Sequence, residues 1–103
     1  MRLIWSPLAR DRALEAKAYI AADNPGAAEK WASGLVRVVA KLKSHPKLGR
    51  IVPEIGLPEY REVAYGNYRV IYRLSGSMIS ILTVRHYSRL LDPDELGPEA
   101  LQD

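Results

Sequence analysis

The sequence predicts an α+β domain of two layers, an antiparallel sheet of four strands with a helical hairpin on one face. Three observations predict it. A short opening strand is followed by two helical patterns that each begin at a proline. The stretch from Tyr60 to Arg89 then breaks into three strand-like runs at Gly66-Asn67 and Ser75-Gly76-Ser77. No repeat or linker divides the 103 residues into a second unit, so the element order is β-α-α-β-β-β.

The opening strand, Arg2 to Trp5, is stopped by Ser6-Pro7, where Ser caps a helix and Pro takes its first position. The helix is expected to run to about Ala22, with Ala9, Ala13, Ala16 and Ile20 at helical spacing. Asn24-Pro25 repeats the device. The second helix carries Ala28, Trp31, Leu35, Val38 and Leu42 on one stripe and ends near Ser44, because His45 precedes Pro46 and is pushed out of the α region. So short a link makes the two helices antiparallel neighbours. Pro46 to Pro58 is too rich in Pro and Gly for a regular element and reads as a structured loop.

In the run after Gly66-Asn67, Tyr68, Val70, Tyr72 and Leu74 alternate with Arg69, Ile71 and Arg73, which gives one apolar face and one basic one. The expectation is that Arg61, Arg69 and Arg73 share the sheet face that the helices leave open. Met78 to Val84 is apolar on both faces, as a central strand is. It breaks into Arg85-His86-Tyr87-Ser88-Arg89, a polar cluster at one rim of the sheet. The folded domain is expected to occupy residues 1–91. Residues 92–103 form an acidic tail, in which Asp92-Pro93-Asp94-Glu95-Leu96 could start a single turn but which is expected to be mobile.

Composition bounds the function. A hydrophobic fraction of 48% argues against disorder, and the absence of cysteine removes disulfides and thiolate metal sites and makes the cytoplasm the default compartment. No apolar run approaches the roughly 20 residues needed to span a bilayer, and no cofactor or metal motif occurs. Between Lys30 and Arg89, eleven basic residues face three carboxylates, a balance of +8, whereas the tail from Leu90 carries five carboxylates and no base. A basic body suits an anionic partner, either nucleic acid or an acidic protein segment. The constellation that could do chemistry is Glu54, Arg61, Arg69, Arg85, His86, Tyr87 and Arg89. Cleavage of RNA through its 2′-OH needs a base, an acid and cations for the developing phosphate charge, with no metal required. Glu54 or His86 could be the base, His86 or Tyr87 the acid, and Arg69 with Arg61 the clamp. Each also has an ordinary structural role: strand arginines on a solvated face, and Glu54 paired with a neighbouring arginine.

The chain resembles the RelE/ParE superfamily of toxins from two-gene type II toxin–antitoxin modules. The likeness covers Leu3 to Arg89 and rests on Trp5-Ser6, YIAADNPGAAEKW (19–31), GRIVPE (49–54), YREV (60–63), YRVIYR (68–73) and the sequence Val84-x-His86-x-x-Arg89. It implies the β-α-α-β-β-β fold and a co-expressed, ParD-like antitoxin that binds the toxin directly in a hetero-oligomer; the basic sheet face then makes Arg61, Arg69 and Arg73 its expected contacts. The spelling is ParE-like, in Asp23-Asn24-Pro25, Val52-Pro53-Glu54 and the last motif. That implies an inhibitor of DNA gyrase without catalytic residues or cofactor, meeting its target through Arg85, His86 and Arg89. The RelE-like alternative is a metal-independent nuclease of ribosome-bound mRNA using Glu54, Arg69, His86 and Tyr87. A third reading is a toxin-like scaffold that only binds its partner.

Overall fold

A computed structural model describes residues 1–89 and 93–96. Strand β1 (Arg2–Trp5) leads into helix α1 (Pro7–Asp23), followed by helix α2 (Pro25–Ala40) and a 3-10 turn at Lys41–Lys43. Four further strands follow: β2 (Arg50–Ile51), β3 (Tyr60–Tyr65), β4 (Tyr68–Ser75) and β5 (Met78–His86). Both helix starts form as the sequence implies. The Ser6 hydroxyl accepts the Ala9 N–H at 2.9 Å, and the Asn24 side chain accepts that of Ala27 at 3.0 Å. Ser6 Oγ also donates to the Leu82 carbonyl at 2.9 Å, tying the helix start to β5.

The sheet is mixed and five-stranded, in the order β1-β5-β4-β3-β2, with β1 parallel to β5 and the other pairs antiparallel. The expectation of four antiparallel strands is corrected on both counts. Part of the Pro46–Pro58 loop pairs with β3 as the two-residue strand β2, too short to leave a periodic signature. The parallel pair follows from counting reversals. At Ser6-Pro7 the chain does not turn back: α1 carries on along β5, where Arg12, Ala16 and Tyr19 line a cleft with Val84 and His86. α2 then returns, its Trp31 ring 5.1 Å from that of Tyr68 and its far end beside Tyr72, whose hydroxyl donates to the Pro46 carbonyl at 2.7 Å. β3 therefore starts from the end where β1 started, and two hairpins later β5 runs parallel to β1.

Between the sheet and the helices lies the main core, with Ala9, Leu35, Val39, Leu42, Val70, Tyr72, Ile79, Ile81 and Val84 buried. A smaller cluster of Val52, Tyr60, Ile71 and Leu96 covers part of the opposite face. An irregularity in the β4–β5 register between Ile71 and Tyr72 makes Leu82 the extra residue, and its side chain packs on this second cluster. Leu96 arrives on a 3-10 turn at Pro93–Leu96. The expected mobile tail is thus corrected at these positions, because Leu96 and Glu95 are both buried there. The rest of the tail lies outside the described residues. Among the described residues no helix is long and apolar enough to cross a membrane.

Candidate functional site

The hairpin at Gly66-Asn67 pairs Tyr65 with Tyr68, and this register decides which side chains meet. Glu62 pairs with Ile71 and Ala64 with Arg69, so Glu62 shares a face with Arg69 and Arg73. Arg61 pairs with Tyr72 and lies on the other side. The expected row of Arg61, Arg69 and Arg73 is corrected accordingly. The Arg61 guanidinium is anchored by backbone instead, to the Gly49 and Pro58 carbonyls, both at 3.0 Å. Arg73 lies with its guanidinium 5.7 Å from the Tyr60 ring centroid.

Arg69 is the centre of a charge network. It makes a two-toothed bond to Glu54 at 2.7 and 3.0 Å, and its Nη2 also donates to Glu62. The Arg69 and Glu62 side chains are 8% and 1% accessible, so this ion pair is buried, while the Glu54 side chain is 44% accessible. Glu62 further accepts from Arg50 at 3.3 Å and from the Tyr87 hydroxyl at 3.4 Å. The Arg69 guanidinium lies 5.8 Å from the Tyr87 ring centroid. Hydrogen bonding from Arg69 holds the Glu54 carboxyl below the usual carboxylate range, and the same bond raises the Arg69 pKa. A carboxylate so held is a weak proton acceptor, and an arginine bonded to two carboxylates has little capacity left for a phosphate.

The remaining residues of the predicted constellation divide across the sheet. His86 pairs with Tyr68 in register and meets its ring edge-on at 5.1 Å, on the helix side. Its Nδ1 accepts the Ser88 N–H at 3.0 Å. Tyr87 is on the opposite face with Arg69. The structure therefore unites Glu54, Arg69 and Tyr87 and separates His86 from them. Arg85, His86 and Arg89 do come together, lining a cleft of about 410 Å³ between β5 and α1 with Arg12 and Tyr19. Within it Arg85 is bound to Glu95, which also accepts from Arg12 Nη2 at 2.8 Å and Nε at 3.1 Å. These bonds raise the Arg12 pKa, and the Thr83 hydroxyl donates to the other Glu95 oxygen at 3.2 Å. Two carboxylates of these networks were missed from sequence. Glu62 could have been found from the two-residue turn, which fixes the register; Glu95 carried no such signal. Among the described residues no group of His, Asp and Glu is arranged to hold a metal.

The sheet thus carries a helical hairpin on one side and the Arg69 charge network on the other. A family model described as "ParE toxin of type II toxin-antitoxin system, parDE" matches residues 3–91. The protein is thus a toxin of a type II toxin–antitoxin system. Within that class, the chain belongs to the ParE toxin family. No curated protein sequence matches it. Among solved structures it resembles the chromosomal ParDE toxin–antitoxin system from P. aeruginosa, with a TM-score of 0.69 and 22% identity, over 84% of this chain and 95% of that one. It also resembles the RelBE2 toxin–antitoxin complex from Mycobacterium tuberculosis, with a TM-score of 0.60 and 19% identity, over 82% and 95% of the two chains. At these identities the likeness is one of fold, and the resemblance read from the sequence agrees with it.

Proposed function

We propose that this toxin arrests growth by binding DNA gyrase and is neutralised by direct contact with a co-expressed antitoxin. The observation that carries the reading is the state of Arg69. Glu54 and Glu62 bond both of its terminal nitrogens and leave Glu54 a weak base, so Glu54, Arg69 and Tyr87 meet as an ion-pair network rather than as a free base and clamp, while His86 lies across the sheet. The ParE family match supports the same direction. An action through binding depends on surface shape and charge, and the cleft lined by Arg85, His86 and Arg89 is the proposed gyrase contact. The antitoxin partner is supported by the toxin–antitoxin complexes among the structural neighbours. Gyrase as target makes the cytoplasm the site of action.

The test is to add purified toxin to gyrase supercoiling reactions and, separately, to ribosomes carrying mRNA. Inhibited supercoiling with intact mRNA is expected, and cleaved mRNA with normal supercoiling would reverse the assignment. In cells, filamentation with an induced DNA-damage response is expected rather than a rapid loss of protein synthesis. Tyr87→Phe separates the readings at one atom. A positioned acid contributes about 10²–10⁴-fold to a rate. A nuclease using Tyr87 would lose its toxicity, whereas a gyrase inhibitor should stay toxic.

A further inference from the structure

The cleft between β5 and α1 contains an open strand edge. β1 ends at Trp5 opposite Ile81, and the chain then leaves the sheet for α1, so Leu82 to His86 have no strand beside them on that side. Backbone groups on a strand alternate between its two neighbours. The Ser6 N–H donates to the Ile81 carbonyl at 2.9 Å, so Ile81 faces β1. The Tyr87 N–H donates to the Asn67 carbonyl at 2.9 Å, and Arg85 and Thr83, paired with Arg69 and Ile71, face β4 with it. Val84 and His86 therefore direct their backbone groups outward. The extra residue Leu82 sets this phase, for without it the outward positions would be Thr83 and Arg85.

These outward groups are short of partners. The His86 carbonyl accepts the Arg89 N–H at 3.1 Å, which closes one end of the edge. The His86 N–H and both backbone groups of Val84 have no hydrogen-bond partner among the described residues. Val84 is only 3% accessible, and backbone groups so deeply placed are almost always paired. Both residues line the cleft. On its α1 wall stands Tyr19, 80% accessible. At its rim Arg89 is exposed and pairs with no carboxylate among the described residues, whereas Arg12 and Arg85 are held by Glu95.

We infer that the target protein enters this cleft as an extended segment and adds to β5 as a strand beyond the end of β1. Its main chain bonds Val84 and His86, an acidic side chain meets Arg89, and an apolar or aromatic one lies against Tyr19. The inference rests on the reading of this chain as a toxin that acts by binding gyrase, and names the mode of recognition at that contact. A nucleic-acid backbone offers acceptors alone and cannot complement both the N–H and the C=O of Val84. A second copy of this chain carries the same edge equally recessed beneath its own α1, so the two edges cannot meet.

The test uses the full chain and intact gyrase, with amide hydrogen exchange read residue by residue. In the toxin alone, the Val84 and His86 amides should exchange faster than those of Thr83, Arg85 and Tyr87, which are bonded to β4. Gyrase should slow the first two and leave the other three as they were. His86→Pro removes the outward N–H and His86→Val keeps it, so the ratio of their gyrase affinities isolates the main-chain bond from the imidazole. The proline variant should bind at least about tenfold more weakly than the valine one, with melting temperatures checked for both. Arg89→Glu should weaken binding by about twofold to fivefold and reduce its salt dependence. Should His86→Pro fail to fold, the exchange pattern of the wild type still decides. Slow Val84 and His86 amides in the toxin alone would overturn the inference, as would slowing by a DNA duplex, by self-association or by the antitoxin in place of gyrase. If gyrase binds and these amides do not change, the mode is wrong and the gyrase reading stands. If gyrase does not bind and ribosome-bound mRNA is cleaved, the reading itself fails.

Discussion

On the helix side of β4, Tyr68, Val70, Tyr72 and Leu74 pack beneath α1 and α2 in an almost wholly apolar layer. On the reverse side of the same strand, Arg69, Ile71 and Arg73 meet a layer half apolar and half ionic, with Leu96 and Val52 on Ile71 and two glutamates on Arg69. Both sides are buried, but by different physics. Apolar burial is non-directional and scales with area, so the first layer tolerates change in proportion to the atoms removed. The second depends on charges whose desolvation is offset only while every partner is present. The comparison teaches that the helix side sets the fold, and that the reverse side is where a single substitution changes the chemistry on offer.

The sharpest way to break the comparison is Glu62→Ala. Removing one member of a buried pair leaves the other charge uncompensated, at a cost of about 3–5 kcal/mol, and Glu54 should keep the value near the lower end. Denaturant unfolding should show the loss. Replacing Glu62 and Arg69 together with Met should recover most of it, since apolar substitutes for a buried ion pair are often neutral. A loss under about 1 kcal/mol for Glu62→Ala would mean that water already reaches the network.

Tyr72→Phe tests a polar connection on the helix side and should cost less, about 1–3 kcal/mol. The phenol accepts the Gly49 N–H at 2.9 Å and donates to the Pro46 carbonyl at 2.7 Å, so the change leaves two backbone groups without their partner. Burial pushes the Tyr72 pKa up. The sign follows: the neutral phenol contributes fully below the unfolded value of about 10, and the contribution is lost as pH rises from there toward the higher folded value. Stability–pH curves of wild type and Tyr72→Phe should therefore converge at alkaline pH.

These two sites also mark what the sequence made legible. The helix-side layer was readable because it rests on local signals: Ser6-Pro7 and Asn24-Pro25 start the helices, and Gly66 and Gly76 take positive φ, at 56° and 58°, where the strands turn. The parallel pairing of β1 was not readable, because a Ser-Pro junction starts a helix equally well whether the chain reverses or continues. The two residues of β2 are below the length at which alternation shows. On the reverse face Arg69 and Glu54 were legible as residue types, and a pairing of Glu54 with a neighbouring arginine was read as its ordinary role, without naming Arg69. Glu62 was concealed because its partner is fixed by register, and Glu95 because its turn is held by Arg12, 83 residues away in sequence, as well as by Arg85. Arg61 was assigned to the wrong face for the same reason as Glu62: alternation gives the period, and the hairpin register gives the phase.

Glu54→Gln should have the smallest effect and separates the exposed arm of the network from the buried one. Its side chain is 44% accessible, so solvent screens the pair, and a loss of about 0.2–1 kcal/mol at neutral pH is expected. The pH dependence is more diagnostic than the size. Arg69 holds the Glu54 pKa below its ordinary value, so its contribution is complete above the unfolded value of about 4.3 and is lost as pH falls through the lower folded value. Acid unfolding of wild type should accordingly show a component in that window that Glu54→Gln lacks. Equal acid slopes would mean that Glu62 alone compensates Arg69 and that Glu54 is free to leave. In that case Arg69 could present a donor to a phosphate, and the case against a ribonuclease would lose its main support.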